Sequence, residues 1–356
     1  MRNAALIVDD FYKRNRIFDL NDKLANRDNC LNPYFQLQKE FKKNNFILNT
    51  SDISNVDFDI LLFNEFRKIN FKNNIYFEKY IIIFETELIK PDNWDLNNHA
   101  AFKKIFTWND DFVDNKKYIK FYWPNNIPSN FKLPQSSKSY FCIMIAGNKL
   151  NFHENELYSE RINAIKWFEK KHLDAFDLYG IGWDSGIDRI PIRYLKKNYY
   201  IHKIINKIQK HLEKITSLKM LIKNDFISYK GKIDNKNETL KKYKFSICYE
   251  NAKGYPGYIT EKIFDCFLAG CVPVYLGAPN ITDFIPSNTF IDKRNFKTYG
   301  ELYKFMKNMS EEEYSFYLKN IEKFMNSKEA KKFSAENFAK TIVNEIMKDI
   351  KSKGKK

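Results

Sequence analysis

Two doubly wound α/β units facing each other across a cleft are what this chain predicts, on three observations. Short apolar runs alternate with polar, lysine-rich stretches of helical spacing in both halves of the sequence. A segment dense in proline, serine and asparagine separates the halves. The length, 356 residues, suits two domains of ordinary size, and 44% hydrophobic with 17% aromatic residues is enough to fill their cores.

In the first half the runs AALIV, FDILLF and YIIIF read as buried strands of a parallel sheet covered by the helical stretches between them. Residues 122–140, YWPNNIPSNFKLPQSSKSY, carry three prolines between two apolar runs and read as the interdomain linker. Then the pattern restarts with YFCIMIAG, a helix from Glu156 to Lys170, FDLYGIGW and KYKFSICYEN. The expected division is an α/β domain over 1–128, a second over 138–305, and C-terminal helices with a basic tail over 306–356. Ser310 with Glu313 forms a capping box that starts one of those helices. The last helix should begin at Ser334, with Phe338, Ile342, Val343, Ile346, Met347 and Ile350 on one face and KSKGKK as a free tail. That face suits core packing, the commoner use; with the basic tail it also suits contact with an anionic membrane.

FSICYEN, residues 245–251, ends an apolar strand in polar residues, and Gly254, Pro256 and Gly257 force a loop after it. Thr260 is placed to cap a helix from Glu261 to Ala269, which Gly270 stops before the strand VPVYLG. The unit is a β-loop-α-β, and open α/β sheets bind ligands outside the carboxyl ends of their strands. A helix N-terminus there offers free N–H groups to a phosphate, and Lys262 adds a full charge. Glu261 beside it can accept hydrogen bonds from ribose hydroxyls, so the pair suits the two ends of a nucleotide diphosphate. The plainer reading stands beside it: Glu261 complements the helix dipole and Lys262 is a solvated surface residue.

Composition narrows the remaining classes. The chain has 60 Lys and Arg against 44 Asp and Glu, a net charge of +16, but only nine of the 60 are Arg. Together with the abundance of Asn, Ile, Phe and Tyr this points to A/T-rich coding as much as to an anionic partner. No RNP-type aromatic motif, zinc finger or Arg-rich stripe supports a specific nucleic-acid partner. Five cysteines without CxxC spacing and five histidines without HExxH argue against a disulfide frame or a metal site. Asp9-Asp10 and Asp110-Asp111 read as turns or caps. The apolar run before Asp9 is too short for a signal peptide, and no run approaches a membrane span, so a cytoplasmic location is expected.

FSICYEN followed by GYITEKIFDCFLAGCVPVYLGAPN resembles the signature of the family 10 glycosyltransferases, the α-1,3/4-fucosyltransferases, in their bacterial form. The resemblance continues through YKGKIDNKNETLKKYKFSICYEN and FDLYGIGW and, more weakly, into the first half. It implies the glycosyltransferase-B fold, two Rossmann-like domains about a cleft with C-terminal helices, and a GDP-sugar held by the second domain. It implies that Arg161 binds the pyrophosphate, that Glu261 contacts the ribose and Lys262 a phosphate, and that Tyr258, Glu250 and Asn251 lie at the donor site. The planar fork of an arginine suits two phosphate oxygens. It further implies inverting transfer of L-fucose from GDP-β-L-fucose to a glycan containing galactose and N-acetylglucosamine, α-1,3 in preference to α-1,4, in lipopolysaccharide or other surface polysaccharide synthesis. No metal or other cofactor is implied, because positive groups at the diphosphate serve the departing GDP. It implies that the base is Glu85, after Phe84 in YIIIFETE, with Glu87 as the alternative and with one or both as strand-end solubilisers in the plainer reading. Another GDP-sugar on the same fold remains open, as does peripheral attachment to the inner face of the cytoplasmic membrane through the basic C-terminus. Trp94 and Trp108 fall where acceptor sugars should bind, or in the core. Pro256 departs from the family pattern, and the first half resembles the family least.

Overall fold

The computed structural model describes residues 1–53, 58–68, 78–184 and 226–353. In the first half, strands β1 (Arg2–Ile7), β2 (Phe46–Thr50), β3 (Ile60–Asn64), β4 (Glu78–Ile83), β5 (Lys104–Thr107) and β6 (Tyr118–Lys120) form one sheet in the order β2-β1-β3-β4-β5-β6. Every pair in it is parallel, with Ala4 in register with Leu48 on one side and Ile60 on the other. The central strands are apolar without alternation because both faces are covered: Ile60 to Phe63 and Tyr80 to Ile83 are all buried, whereas the edge strand β2 alternates. Helix α1 (Asn32–Lys43) buries Leu37 and Phe41 against one face, and the short α2 (Leu96–His99) follows β4.

The second half repeats the plan. Strands β7 (Tyr140–Ile145), β8 (Phe176–Tyr179), β9 (Tyr243–Tyr249), β10 (Val272–Leu276) and β11 (Ile291–Asp292) give the all-parallel order β11-β10-β9-β7-β8. The helices are α3 (Tyr158–Lys171), α4 (Lys236–Leu240), α5 (Glu261–Leu268), α6 (Tyr299–Asn308), α7 (Glu311–Met325), α8 (Lys328–Lys331) and α9 (Ala335–Lys353). The expected capping box is present: Ser310 Oγ accepts the Glu313 N–H (3.1 Å) and Glu313 Oε2 accepts the Ser310 N–H (2.8 Å). In each sheet the first strand lies between the second and the third. That leaves a point where strand order reverses, between β1 and β3 and between β7 and β9, where open α/β sheets hold ligands.

Helix α9 returns to the first half. It starts beside the linker, where the Asn125 N–H donates to Phe333 O (2.7 Å) and the Ala335 N–H to Asn125 O (3.0 Å). Phe338, Ile342, Val343, Ile346 and Met347 then join the core under the first sheet, next to α1. Lys104 Nζ fixes the end of the helix, 3.0 Å from both Glu345 Oε2 and Asp349 Oδ1. The expected core packing is therefore found, and on the first domain, which leaves that apolar face no surface for a membrane. The tail differs from expectation: Lys351 to Lys353 are helical, because no glycine or proline precedes Gly354, and residues 354–356 lie outside the described residues.

Candidate active site

Arg161 lies one turn into α3, buried, at the carboxyl end of β9. One terminal nitrogen donates to three acceptors there: Tyr249 O (2.7 Å), Glu250 O (2.8 Å) and Asn251 Oδ1 (3.1 Å). Among the described residues its other nitrogens make no further protein hydrogen bond. Burial lowers its pKa, yet an arginine stays charged in any case. The guanidinium is thus anchored by one corner, with Asn251 as one anchor.

Glu250 is fully buried. Its Oε1 accepts the Thr260 N–H (2.8 Å) and its Oε2 accepts the Thr260 hydroxyl (2.7 Å), with Lys262 Nζ at 3.3 Å. The strand end therefore grips the start of α5 directly. Thr260 stands at the N-cap position as expected but caps nothing, because its hydroxyl is held by Glu250 and receives Lys262 Nζ (3.0 Å). The first-turn N–H groups of α5 are left without a side-chain cap.

Lys262 Nζ also lies 3.3 Å from Glu261 Oε1. Burial works against the Lys262 ammonium, but Glu261 and Glu250 outweigh it and hold its pKa above the ordinary lysine value. For Glu261, burial would raise the carboxyl, and Lys262 with Lys236 instead holds it down to about 2. Its side chain is still 42% exposed, so part of that field is screened by water. Both charges persist at any physiological pH, side by side at a helix N-terminus.

Across from them stands Glu85. Phe84 and Glu85 continue β4, and their backbone is held on both sides. Their N–H groups donate to Glu65 Oε1 (2.9 and 3.0 Å), while Phe84 O accepts Trp108 Nε1 (2.7 Å) and Glu85 O accepts Trp94 Nε1 (2.9 Å). Both tryptophans are thus packing and positioning groups: Trp108 is fully buried and packs against Tyr258, ring centroids 4.7 Å apart and tilted by 49°. Loss of water raises the Glu85 pKa, opposed by Lys149 and Lys262 and supported by Glu261. These groups come from both halves of the chain, so Glu85 lies within electrostatic reach of the start of α5. Glu87 is exposed.

Tyr258 is buried at the junction of the halves, inside the core of the first domain. Burial drives its pKa well up, so the hydroxyl stays protonated. The loop before it is latched to the first domain. Asn280 Oδ1 accepts the Gly257 N–H (2.8 Å), Asn280 Nδ2 donates to Asp110 Oδ2 (3.0 Å), the Asp110 N–H donates to Pro256 O (3.2 Å), and Lys120 Nζ lies 2.5 Å from Asp110 Oδ1. Asp110 is therefore more than the turn or cap its sequence context suggested.

Two further residues escape sequence reasoning. Lys149 follows β7 at the point of reversed strand order. Loss of water lowers its pKa, Glu85 raises it, and Arg161 and Lys262 lower it. Its one sequence signal is the small-residue loop Ala146-Gly147 that a strand end needs to admit a ligand. Glu65 gave no signal, since a polar residue after FDILLF reads as the end of a strand. No group of three or more His, Cys, Asp or Glu is placed to hold a metal among the described residues.

Residues 194–353 match the model of the glycosyltransferase family 10 (fucosyltransferase) C-terminal domain. The α-(1,3)-fucosyltransferase FucT of Helicobacter pylori is 39% identical over 75 residues, a stretch that spans 21% of this chain and 16% of that protein. The crystal structure of an α1,3-fucosyltransferase with GDP superimposes with a TM-score of 0.51 at 16% identity, covering 96% of this chain and 89% of that one. The Anabaena Alr3699/HepE structure in complex with UDP and glucose gives 0.52 at 8% identity, covering 98% and 100%. At such identities the solved structures establish the fold: two Rossmann-like sheets in the glycosyltransferase-B arrangement.

Proposed function

We propose that the chain transfers L-fucose from GDP-β-L-fucose to a hydroxyl of a glycan containing galactose and N-acetylglucosamine, with inversion; the match of residues 194–353 to the family 10 glycosyltransferase C-terminal model and the glycosyltransferase-B fold support this reading. The observation that carries this reading is the opposition of a carboxylate, Glu85, to a cationic helix start, Lys262 on α5 with Arg161 beside it. Glu85 takes the proton of the acceptor hydroxyl as its oxygen bonds to the anomeric carbon. The bond from that carbon to the β-phosphate oxygen breaks, and the electron pair leaves with GDP. Arg161, Lys262 and the uncapped N–H groups of α5 meet the charge that develops there, work a metal would do elsewhere, so the reaction is metal-independent. Glu261 accepts from the ribose. Glu250 acts by holding the start of α5, Asn251 Oδ1 by anchoring Arg161, and Tyr258 by packing against Trp108.

The acceptor belongs to lipopolysaccharide or another surface polysaccharide, which places the enzyme in the cytoplasm at the inner face of the membrane. Charge at the basic C-terminus would supply that contact, because no described helix is long and apolar enough to cross a membrane. Calorimetric titration with GDP, GDP-fucose, GDP-mannose and UDP tests the donor: binding of GDP and GDP-fucose, weaker binding of GDP-mannose and none of UDP are expected. GDP-mannose binding as tightly as GDP-fucose would transfer the reading to another GDP-sugar, and no guanine binding would end it.

A further inference from the structure

Glu65 is buried, ionisable and has no part in the reaction just described. It ends β3 in a left-handed backbone conformation, φ +70°, which costs a residue with a Cβ roughly 1–2 kcal/mol and persists only where the surroundings impose it. The surroundings do so at both ends of the residue. Its N–H donates to Ile82 O of the neighbouring strand (3.0 Å). Its Oε1 accepts the N–H groups of Phe84 and Glu85, and its Oε2 accepts Asn93 Nδ2. Asn93 is fixed in turn: its Oδ1 accepts the Phe66 N–H (2.8 Å) and its carbonyl meets His99 Nε2 (2.6 Å), while His99 Nδ1 meets the Tyr118 hydroxyl (3.1 Å).

Three donors therefore converge on one side chain, and a carboxylate, which only accepts, answers all of them. A buried charge is expensive, and an apolar end to β3 would fold more cheaply. What the arrangement supplies is a fixed path for Phe84-Glu85. With Trp94 on the Glu85 carbonyl, neither backbone polar group of Glu85 is free to shift, and the side chain is held where it feels Lys149, Lys262 and Glu261.

We propose that Glu65 is the positioning residue of the base, a carboxylate clamp that sets where Glu85 meets the acceptor hydroxyl. The proposal rests on the reading of Glu85 as base. A neutral side chain at 65 breaks the clamp whether the neutralisation is by substitution or by a proton, since either puts a donor opposite Asn93 Nδ2. Burial first, and then the Glu85 charge, raises the Glu65 pKa to about 7. The groups acting on it are Glu85 and Lys90 after β4, Asn93, and Tyr34 from α1. The clamp is thus whole above neutral pH and loosened below it.

The test compares wild type, Glu65→Gln and the double variant Glu65→Gln/Asn93→Asp, in which the amide of residue 65 would donate to the new carboxylate and restore the complement. With GDP-fucose and a glycan acceptor, Glu65→Gln is expected to lose about 10- to 100-fold in kcat with the donor KM within about twofold. It should also lack the rise in kcat through neutral pH that is expected of wild type. The double variant should recover most of the rate. If Glu65→Gln does not fold, the rate of the double variant decides: a rate near wild type supports the clamp, and a rate as low as 100-fold down overturns it. Wild-type kcat in Glu65→Gln, or equal loss in kcat and donor affinity, also overturns it. A wild type that transfers no fucose contradicts the transferase reading instead. In that event, carbon-13 NMR of the glutamate carboxyls still decides: Glu85→Gln should move the Glu65 titration to lower pH, and an unmoved titration overturns the coupling.

Discussion

Replacing Gly257 by alanine strikes the joint between the two domains. Gly257 has φ +80°, a region that costs a residue with a Cβ roughly 1–2 kcal/mol. The added Cβ would stand 2.5 Å from Lys120 Nζ and 2.8 Å from Asp110 Oδ2, and closer still to the Trp108 carbonyl oxygen. That carbonyl cannot turn away, because it ends β5 and accepts Lys120 Nζ at 2.6 Å. The loop must retreat by about 1 Å to regain ordinary contact distances. Retreat breaks the Gly257–Asn280 and Asp110–Pro256 hydrogen bonds, each worth about 1 kcal/mol. Strain and lost bonds together come to about 3–4 kcal/mol at the interface. Tyr258, Thr260 and Glu261 follow directly, so donor affinity should fall in step. Urea unfolding with calorimetric GDP titration reads both: the midpoint should drop and GDP binding weaken at least tenfold. Gly257→Ala with unchanged midpoint and unchanged GDP affinity would refute the claim that this loop is held by the first domain.

Three further outcomes follow from the same geometry. Lys262→Ala and Arg161→Ala should each weaken GDP-fucose binding by roughly 1–3 kcal/mol, measured by calorimetry, and Arg161→Ala should also lower stability because it frees the Tyr249 and Glu250 carbonyls. The Glu65 carboxyl is raised from 4.5 to about 7, so the folded state holds a proton that the unfolded chain has released. Stability from this group should therefore fall by about 3 kcal/mol as pH rises from 4.5 to 7 and then level off, and urea midpoints of Glu65→Gln should lack that slope. Deleting residues 335–353 removes the five apolar side chains that α9 buries against the first domain, on the order of 10 kcal/mol of lost burial, and should leave that domain open to limited proteolysis while GDP still protects the second.

Strands β1, β3, β4 and β7 to β10 were legible as largely apolar runs, as a sheet covered on both faces requires, whereas the short or polar-ended β2, β5, β6 and β11 were not; the starts of α7 and α9 were legible through Ser310 and Ser334. Helix α5 was legible through Gly270 and its apolar face, but the partner of Thr260 was not, since its hydroxyl answers to Glu250, ten residues earlier in the chain. Glu85 and Lys262 could be named from local pattern and resemblance. What holds them could not. The Glu65 clamp, the Asp110–Asn280 link and Lys149 depend on contacts between residues 19 to 170 positions apart, which no local spacing encodes. The destination of α9 was hidden for the same reason: its face announces burial without saying against which domain.

The most direct test follows one reaction by NMR: GDP-β-L-fucose with a galactose- and N-acetylglucosamine-containing acceptor, for wild type and Glu85→Gln. Wild type should give GDP and an α-linked fucoside. Glu85→Gln should give no fucoside above background while binding GDP within about twofold of wild type. A β-linked product, or an undiminished rate in Glu85→Gln, would contradict the account of a carboxylate base facing a cationic donor helix.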